Sequence, residues 1–214
     1  MKHEIFEING LKLCVSKEHR FGTDAVNLAE FAALKPSQII ADLCTGCGIV
    51  PFMLAGKNAA KIYALDINEN AVALLKESIR INSLDKLIFP VLEDLKNITS
   101  IPAGSVDLIT MNPPYYKAND GFRRAGEDTA RHELLCTLDD CAAAASRLLK
   151  FGGRLAMCHI PERLSDVICT LRKYNLEPKV LQIMSNKKNE PRLLLVDAKK
   201  GGKPSLTLRL TVDN

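Results

Sequence analysis

A short apolar stretch, Val106–Met111, stops abruptly at Asn112-Pro113-Pro114-Tyr115, and these four residues hold the densest chemistry in the chain. The prolines lack N–H groups and fix φ near −65°, so a strand cannot run through them and the turn is stiff. It presents a side-chain amide (Asn112), a proline carbonyl (Pro113) and an aromatic face (Tyr115). That set suits alkylation of an amino nitrogen conjugated to a ring or a carbonyl. Such a nitrogen is planar, and its delocalised lone pair makes it a poor nucleophile. Two fixed acceptors, the Asn112 oxygen and the Pro113 carbonyl, can take both N–H bonds and favour pyramidal geometry as positive charge develops. The arrangement is an oxyanion hole with its sign reversed. Tyr115 adds stacking, worth about 1–3 kcal/mol per base. A tetrapeptide alone is equally consistent with a plain proline turn, so its surroundings decide.

A second motif lies upstream. Asp42-Leu43-Cys44-Thr45-Gly46-Cys47-Gly48 reads as a glycine-rich strand-to-helix turn, where missing side chains let the backbone approach a ligand. The dinucleotide spacing G-x-G-x-x-G is absent, since the next glycine after Gly48 is Gly56, and no P-loop lysine follows. Asp66, at the end of the second predicted strand of this region, is placed to hold ribose hydroxyls. Asp94, at the end of the third, can accept from an adenine amino group.

The elements that position these motifs alternate. Residues 1–20 read as a hairpin turning at Asn9-Gly10. A helix follows Phe21-Gly22-Thr23-Asp24, with Thr23 or Asp24 as N-cap and Pro36 as its stop. Strands are then predicted at 38–43, 61–65, 87–92, 106–111 and 154–159. Helices between them include one capped by Asn68 and one opened by the capping box Thr137-x-x-Asp140 and closed by Gly152-Gly153. Pro161 starts a further helix. Two closing strands, 177–184 and 192–197, are joined too tightly for a crossover and must pair antiparallel. Pro90 puts its strand at a sheet edge. The prediction is an α/β domain with a mostly parallel sheet covered on both faces. One domain spans 1–214: the hairpin and helix (1–36), the core (37–200) and a tail (201–214) whose alternating Leu206, Leu208 and Leu210 suit one more edge strand.

Composition bounds the rest. At 214 residues, 47% hydrophobic and 25% charged, the chain can bury one sizeable core. The N-terminus is polar within four residues and no apolar run approaches a bilayer span, which points to the cytoplasm. Seven scattered cysteines fit buried free thiols. Cys44-x-x-Cys47 lacks a second Cys/His pair at zinc spacing, and no metal site is expected. The net charge of +4 is modest. Lys117, Arg123, Arg124 and Arg131 nonetheless cluster just after the N-P-P-Y turn, as a phosphate-bearing substrate would require.

With D-L-C-T-G-C-G, Asp66, Asp94 and N-P-P-Y in this order, the chain resembles class I S-adenosylmethionine-dependent methyltransferases that modify amino nitrogens. More narrowly, R-F-G-T-D-A-V-N-L-A near the start, A-R-H-E after the N-P-P-Y turn and H-I-P-E-R at the fifth strand resemble the bacterial tRNA(Val) adenine-37 N6-methyltransferase family. The resemblance covers about Asn9 to Lys200. It implies a Rossmann-like, seven-stranded sheet with the last strand antiparallel, S-adenosylmethionine as cofactor and tRNA as partner. It implies that Asp42, Gly46 and Gly48 line the methionine part of the cofactor, with Asp66 on the ribose and Asp94 near the adenine. The segment Phe21-Gly22-Thr23-Asp24 would close over its carboxylate end, with Gly22 and Thr23 in contact with the cofactor. Asn112 and Tyr115, with Pro114, would hold a flipped-out adenine, and Lys117, Arg123 and Arg124 would contact the nucleic acid. One position departs from the pattern: the first loop glycine is Cys44, which either tolerates the local backbone or narrows the cofactor pocket.

From the residues alone, a glutamine N5-methyltransferase acting on protein stays open, as do a DNA adenine or rRNA guanine enzyme and a non-catalytic adenosine- or RNA-binding module. A hydrolase is excluded by the missing G-x-S-x-G elbow, and H-E-x-x-H is also absent. His132 and His159 read as structural.

Overall fold

The computed structural model describes residues 3–115 and 136–212; Lys117, Arg123, Arg124, Arg131 and His132 lie outside the described residues. The chain opens with a hairpin, β1 (Glu4–Ile8) and β2 (Leu11–Val15). Its two-residue turn puts Asn9 at φ 51° and Gly10 at φ 77°, the left-handed pair that matches strand twist. The hairpin docks on α3 (Glu69–Ile81), where Cys14 N donates to Ser78 Oγ at 2.8 Å. Asn82 brackets Lys12, accepting from its N–H at 2.9 Å and donating to its carbonyl at 2.6 Å.

After α1 (Thr23–Phe31), strand and helix alternate: β3 (Ile39–Leu43), α2 (Ile49–Ala55), β4 (Lys61–Asp66), α3, β5 (Ile88–Leu92), β6 (Val106–Met111), α4 (Leu138–Leu148), β7 (Leu149–His159) and α5 (Leu164–Lys173). The chain then closes with β8 (Leu176–Ser185), β9 (Pro191–Lys200) and β10 (Thr207–Val212). These form one sheet of order β10-β8-β9-β7-β6-β3-β4-β5. β9 runs antiparallel to both β7 and β8, and β5, which contains Pro90, is an edge strand, as expected.

Side-chain alternation sorts the core into two layers. Ala41, Leu43, Leu65, Ile109 and Met111 face α4 and α5, while Ile40, Ile62, Ala64 and Leu108 face α1, α2 and α3. Each fully buried leucine or isoleucine contributes about 1.5–3 kcal/mol over leaving it exposed.

Four local expectations are corrected. Thr23 and Asp24 lie inside the first turn of α1; Gly22 is its N-cap, without a side-chain cap bond, because the Asp24 carboxylate faces Tyr115 instead. The helix stops at Phe31, ahead of Pro36. Gly152-Gly153 does not end α4, which stops at Leu148. The two glycines lie within the long β7, where Gly152 at φ 80° forms a bulge opposite β6. A Cβ on Gly153 would meet the Lys150 carbonyl at 2.9 Å, so the bulge needs glycine. Pro161 opens a three-residue 3-10 turn rather than the helix, which starts at Leu164. In the tail, β10 adds an eighth strand parallel to β8, beyond the seven of the core, with Leu208 and Leu210 exposed.

Candidate active site

Strand order reverses between β3 and β6. From β3 the chain winds outward through β4 to β5, then returns to β6 on the other side. In such sheets the crevice outside the carboxyl ends of the two strands binds ligands. Register fixes what meets there. Leu43 pairs with Met111, so the glycine loop and Asn112 leave the sheet side by side, one strand spacing apart, about 4.8 Å. Leu43 also pairs with Leu65, which sets Asp66 on the loop's other flank. Met111 pairs with Met157, which brings Cys158 beside Asn112.

The loop is held by its neighbours. Asp66 accepts from Gly46 N at 2.7 Å and from Asn68 N at 2.9 Å, and Thr45 N donates to the Leu65 carbonyl. Gly48 caps α2 at φ 94°, and a Cβ there would lie 2.5 Å from Leu75 Cδ1. Cys44 stands at φ 60°, a left-handed conformation costing a residue with a Cβ about 1–2 kcal/mol relative to glycine. It tolerates that backbone and turns its thiol towards Cys136 and Cys141, across the α4 face of the sheet. Cys47, the nominal partner in C-x-x-C, faces the opposite core layer, where burial pushes its thiol up to about 12. The Cys136 thiol is pulled below its ordinary value by hydrogen bonds from Cys141 and Cys44.

Between β4 and β5 lies a pocket of about 30 Å³ lined by Cys44, Asp66, Ile67, Asp94, Leu95 and Cys136. Burial raises the Asp66 carboxyl above its ordinary value. Asp94 caps the next turn by accepting from Lys96 N at 2.9 Å and pairs with the Lys96 ammonium at 3.5 Å. Glu93 also lines the pocket, with its carboxylate bonded to Thr99 and Ser100. Apolar walls with carboxylates at the rim are the donor set a purine nucleoside needs: faces for the ring, acceptors for hydroxyls and an amine. With the glycine-lined approach at Gly46, where a Cβ would meet open space, these residues fit the adenosine end of S-adenosylmethionine.

Asp42 is buried on β3 and accepts a 2.6 Å bond from Thr110, its register partner on β6. Burial raises its carboxyl to about 7.

The N-P-P-Y turn is tightly partnered. The Asn112 side-chain oxygen accepts from the Tyr115 hydroxyl at 2.5 Å and from the Cys158 thiol at 3.0 Å. The same hydroxyl lies 3.3 Å from Asp24, so α1 closes over the turn and brings Gly22 and Thr23 to its flank. Tyr115 is buried rather than presenting an open face, and its ring packs against His159 at 5.2 Å between centroids. Burial raises its hydroxyl well above the ordinary phenol range. Arg163 donates to the Tyr115 carbonyl at 3.1 Å.

The fold thus gathers Asp42, Cys44, Gly46, Gly48, Asp66, Asp94, Asn112 and Tyr115 at one sheet end; Lys117, Arg123 and Arg124 lie outside the described residues. Sequence reasoning passed over Asp24, Cys158 and Arg163 as partners of the turn, and His159 as packing on it. The H-I-P-E-R segment signalled the place of Cys158, His159 and Arg163, since it begins at the end of the strand whose register meets Met111, and R-F-G-T-D signalled that of Asp24.

Comparison with known proteins places the chain. It is 28% identical over 160 residues to a tRNA1(Val) (adenine(37)-N6)-methyltransferase of Aeromonas hydrophila, covering 73% of this chain and 66% of that protein, just under two thirds of its length. It is 28% identical over 182 residues to the protein of the same name in Aeromonas salmonicida, covering 83% of this chain and 75% of the relative. In fold it is similar to a predicted O-methyltransferase of Agrobacterium tumefaciens, with a TM-score of 0.70 at 19% identity over 88% of this chain and 86% of that one. The TRM5/TYW2 methyltransferase domain model matches residues 23–129, half of the sequence. With the glycine loop, the acidic pocket and the N-P-P-Y turn all assembled at the switch point, the chain belongs to the TRM5/TYW2 methyltransferase domain family.

Proposed function

We propose that this protein methylates the exocyclic N6 of an adenine in tRNA, at position 37 of a valine tRNA, in the cytoplasm. The observation that carries the reading is the Asn112 carboxamide oxygen, fixed at the end of β6 beside the glycine loop with two donors already converging on it. The names of the two Aeromonas relatives support the choice of substrate.

S-adenosylmethionine, when bound, supplies an electrophilic methyl group on a sulfonium. Asp66 would hold its ribose, Asp94 its adenine, Asp42, Gly46 and Gly48 its methionine part, and Gly22 and Thr23 its carboxylate end. Admitting a purine to a pocket of about 30 Å³ requires its walls to part. Asn112 and the Pro113 carbonyl would accept the two N–H bonds of the target amine. The Tyr115 hydroxyl now occupies the acceptor that the amine needs, so substrate entry would exchange one donor for the other and turn the ring outward to stack, beside Pro114. No side chain is needed as a strong base. His159 is buried and neutral, its imidazole lowered to about 4 by burial, and the proton can leave to water after alkylation. Lys117, Arg123 and Arg124 would meet the tRNA phosphates.

Incubation with labelled cofactor and separate pools of tRNA, rRNA and protein tests the proposal. The expected label is N6-methyladenosine in tRNA. Label in protein glutamine would move the substrate to a peptide, and label in none of the pools would remove the activity.

A further inference from the structure

The thiols of Cys44, Cys136 and Cys141 all lie within 4.8 Å of one another. Sequence spacing hides this group, since its members come from the loop after β3 and from the two sides of the Thr137 capping box that opens α4. The Cys136 and Cys141 sulfurs stand 3.9 Å apart. Two thiolates on one tetrahedral zinc, at about 2.3 Å each, stand about 3.8 Å apart, so the pair already has ligand spacing. Cys44 faces them from a left-handed backbone position that glycine would occupy without strain. The N-terminal dipole of α4 favours negative sulfur, while Asp140 in its first turn opposes it. Cys44 and Cys136 also line the pocket between β4 and β5, which leaves an approach for an ion and for a fourth ligand.

We propose that Cys44, Cys136 and Cys141 form a three-thiolate site for a thiophilic divalent cation of the zinc class, with water as the fourth ligand on the pocket side. Binding releases one proton from each thiol still protonated and changes no oxidation state. The ion ties the glycine loop to the start of α4 and so stiffens one wall of the pocket. The expectation of no metal site rested on Cys44-x-x-Cys47, whereas the folded chain gives Cys44 different partners. Cys44 and Cys136 also line the proposed cofactor pocket, but the test of the metal site involves neither cofactor nor RNA, so its outcome is separable from the tRNA reading.

The test uses the full chain, reduced and stripped with a chelator, then titrated with Zn²⁺ against a chromophoric competitor and separately with Co²⁺. One equivalent of zinc is expected, with a tetrahedral thiolate spectrum for cobalt. Cys44→Gly, which relieves the left-handed strain and so should fold, is expected to weaken zinc at least a hundredfold. Cys141→Ser repeats the measurement from the opposite side of the site, and circular dichroism checks both variants. Cys169→Ser, altering the exposed cysteine on α5, should bind zinc like the parent. Zinc affinity within threefold between the parent and Cys44→Gly overturns the site. So does a reduced parent that takes up no stoichiometric zinc, or a cobalt spectrum without thiolate charge-transfer bands.

Discussion

Replacing Asn112 with alanine removes the acceptor at the centre of the proposed chemistry while leaving the fold and the cofactor pocket nearly intact. Two donors now end on its side-chain oxygen, the Tyr115 hydroxyl at 2.5 Å and the Cys158 thiol at 3.0 Å. After truncation the hydroxyl keeps Asp24 at 3.3 Å, and the thiol is a weak donor, so the stability loss should be about 1 kcal/mol. Turnover is a different matter. Deleting one fixed partner of a developing charge costs about 2.7–4 kcal/mol, or roughly 10²–10³ in kcat. Asp66, Asp94 and the glycine loop are untouched, so the dissociation constant for S-adenosylmethionine should stay within about threefold. Asn112→Asp keeps two acceptor oxygens and should retain at least ten times the activity of the alanine variant. Single-turnover methyl transfer with saturating tRNA, beside calorimetric titration of the cofactor, separates these effects. A loss in the methyl-transfer rate below fivefold for Asn112→Ala would refute the reasoning, as would a loss explained entirely by weaker cofactor binding.

Asp66→Ala removes both the proposed ribose acceptor and the 2.7 Å tie to Gly46. A charge-assisted bond of about 1.5–3 kcal/mol predicts cofactor binding weakened by roughly 10–150-fold, and an unchanged dissociation constant would take Asp66 out of the site. Asp42 is expected to shape the pH dependence of stability. Its folded value of about 7 lies above the unfolded 3.8, so its stabilising contribution is full below about pH 4 and is lost as pH rises through 7. The difference amounts to about 4 kcal/mol at most. Urea melts of parent and Asp42→Asn across this range should diverge accordingly, and parallel curves would count against a buried carboxyl. For RNA, Arg123→Ala with Arg124→Ala should flatten the dependence of log K on log salt by about 1.4–1.8 if both contact phosphate. An unchanged slope would move the contact elsewhere.

Local features were legible in the sequence because neighbouring residues dictate them. Asn9-Gly10 can adopt the left-handed pair of a tight hairpin, Asn68 and the Thr137/Asp140 box cap their helices as read, and strand–helix alternation leaves little choice but a doubly wound sheet. Pro90 at an edge and the antiparallel β8–β9 pair follow from a missing donor and a short connection. The motif residues around the glycine loop and the N-P-P-Y turn converge because each ends a strand that topology sets at one side of the sheet. Where packing over long sequence distances takes over, the residues say much less. The Gly152 bulge depends on register against β6, and the edge position of β10 depends on what β8 leaves unpaired. Tyr115 points inward because Asn112, Asp24 and Cys158 together outbid solvent for its hydroxyl, and three different elements supply them. The meeting of Cys44 with Cys136 and Cys141 is of the same kind: residues some ninety positions apart become neighbours only when α4 packs across the sheet.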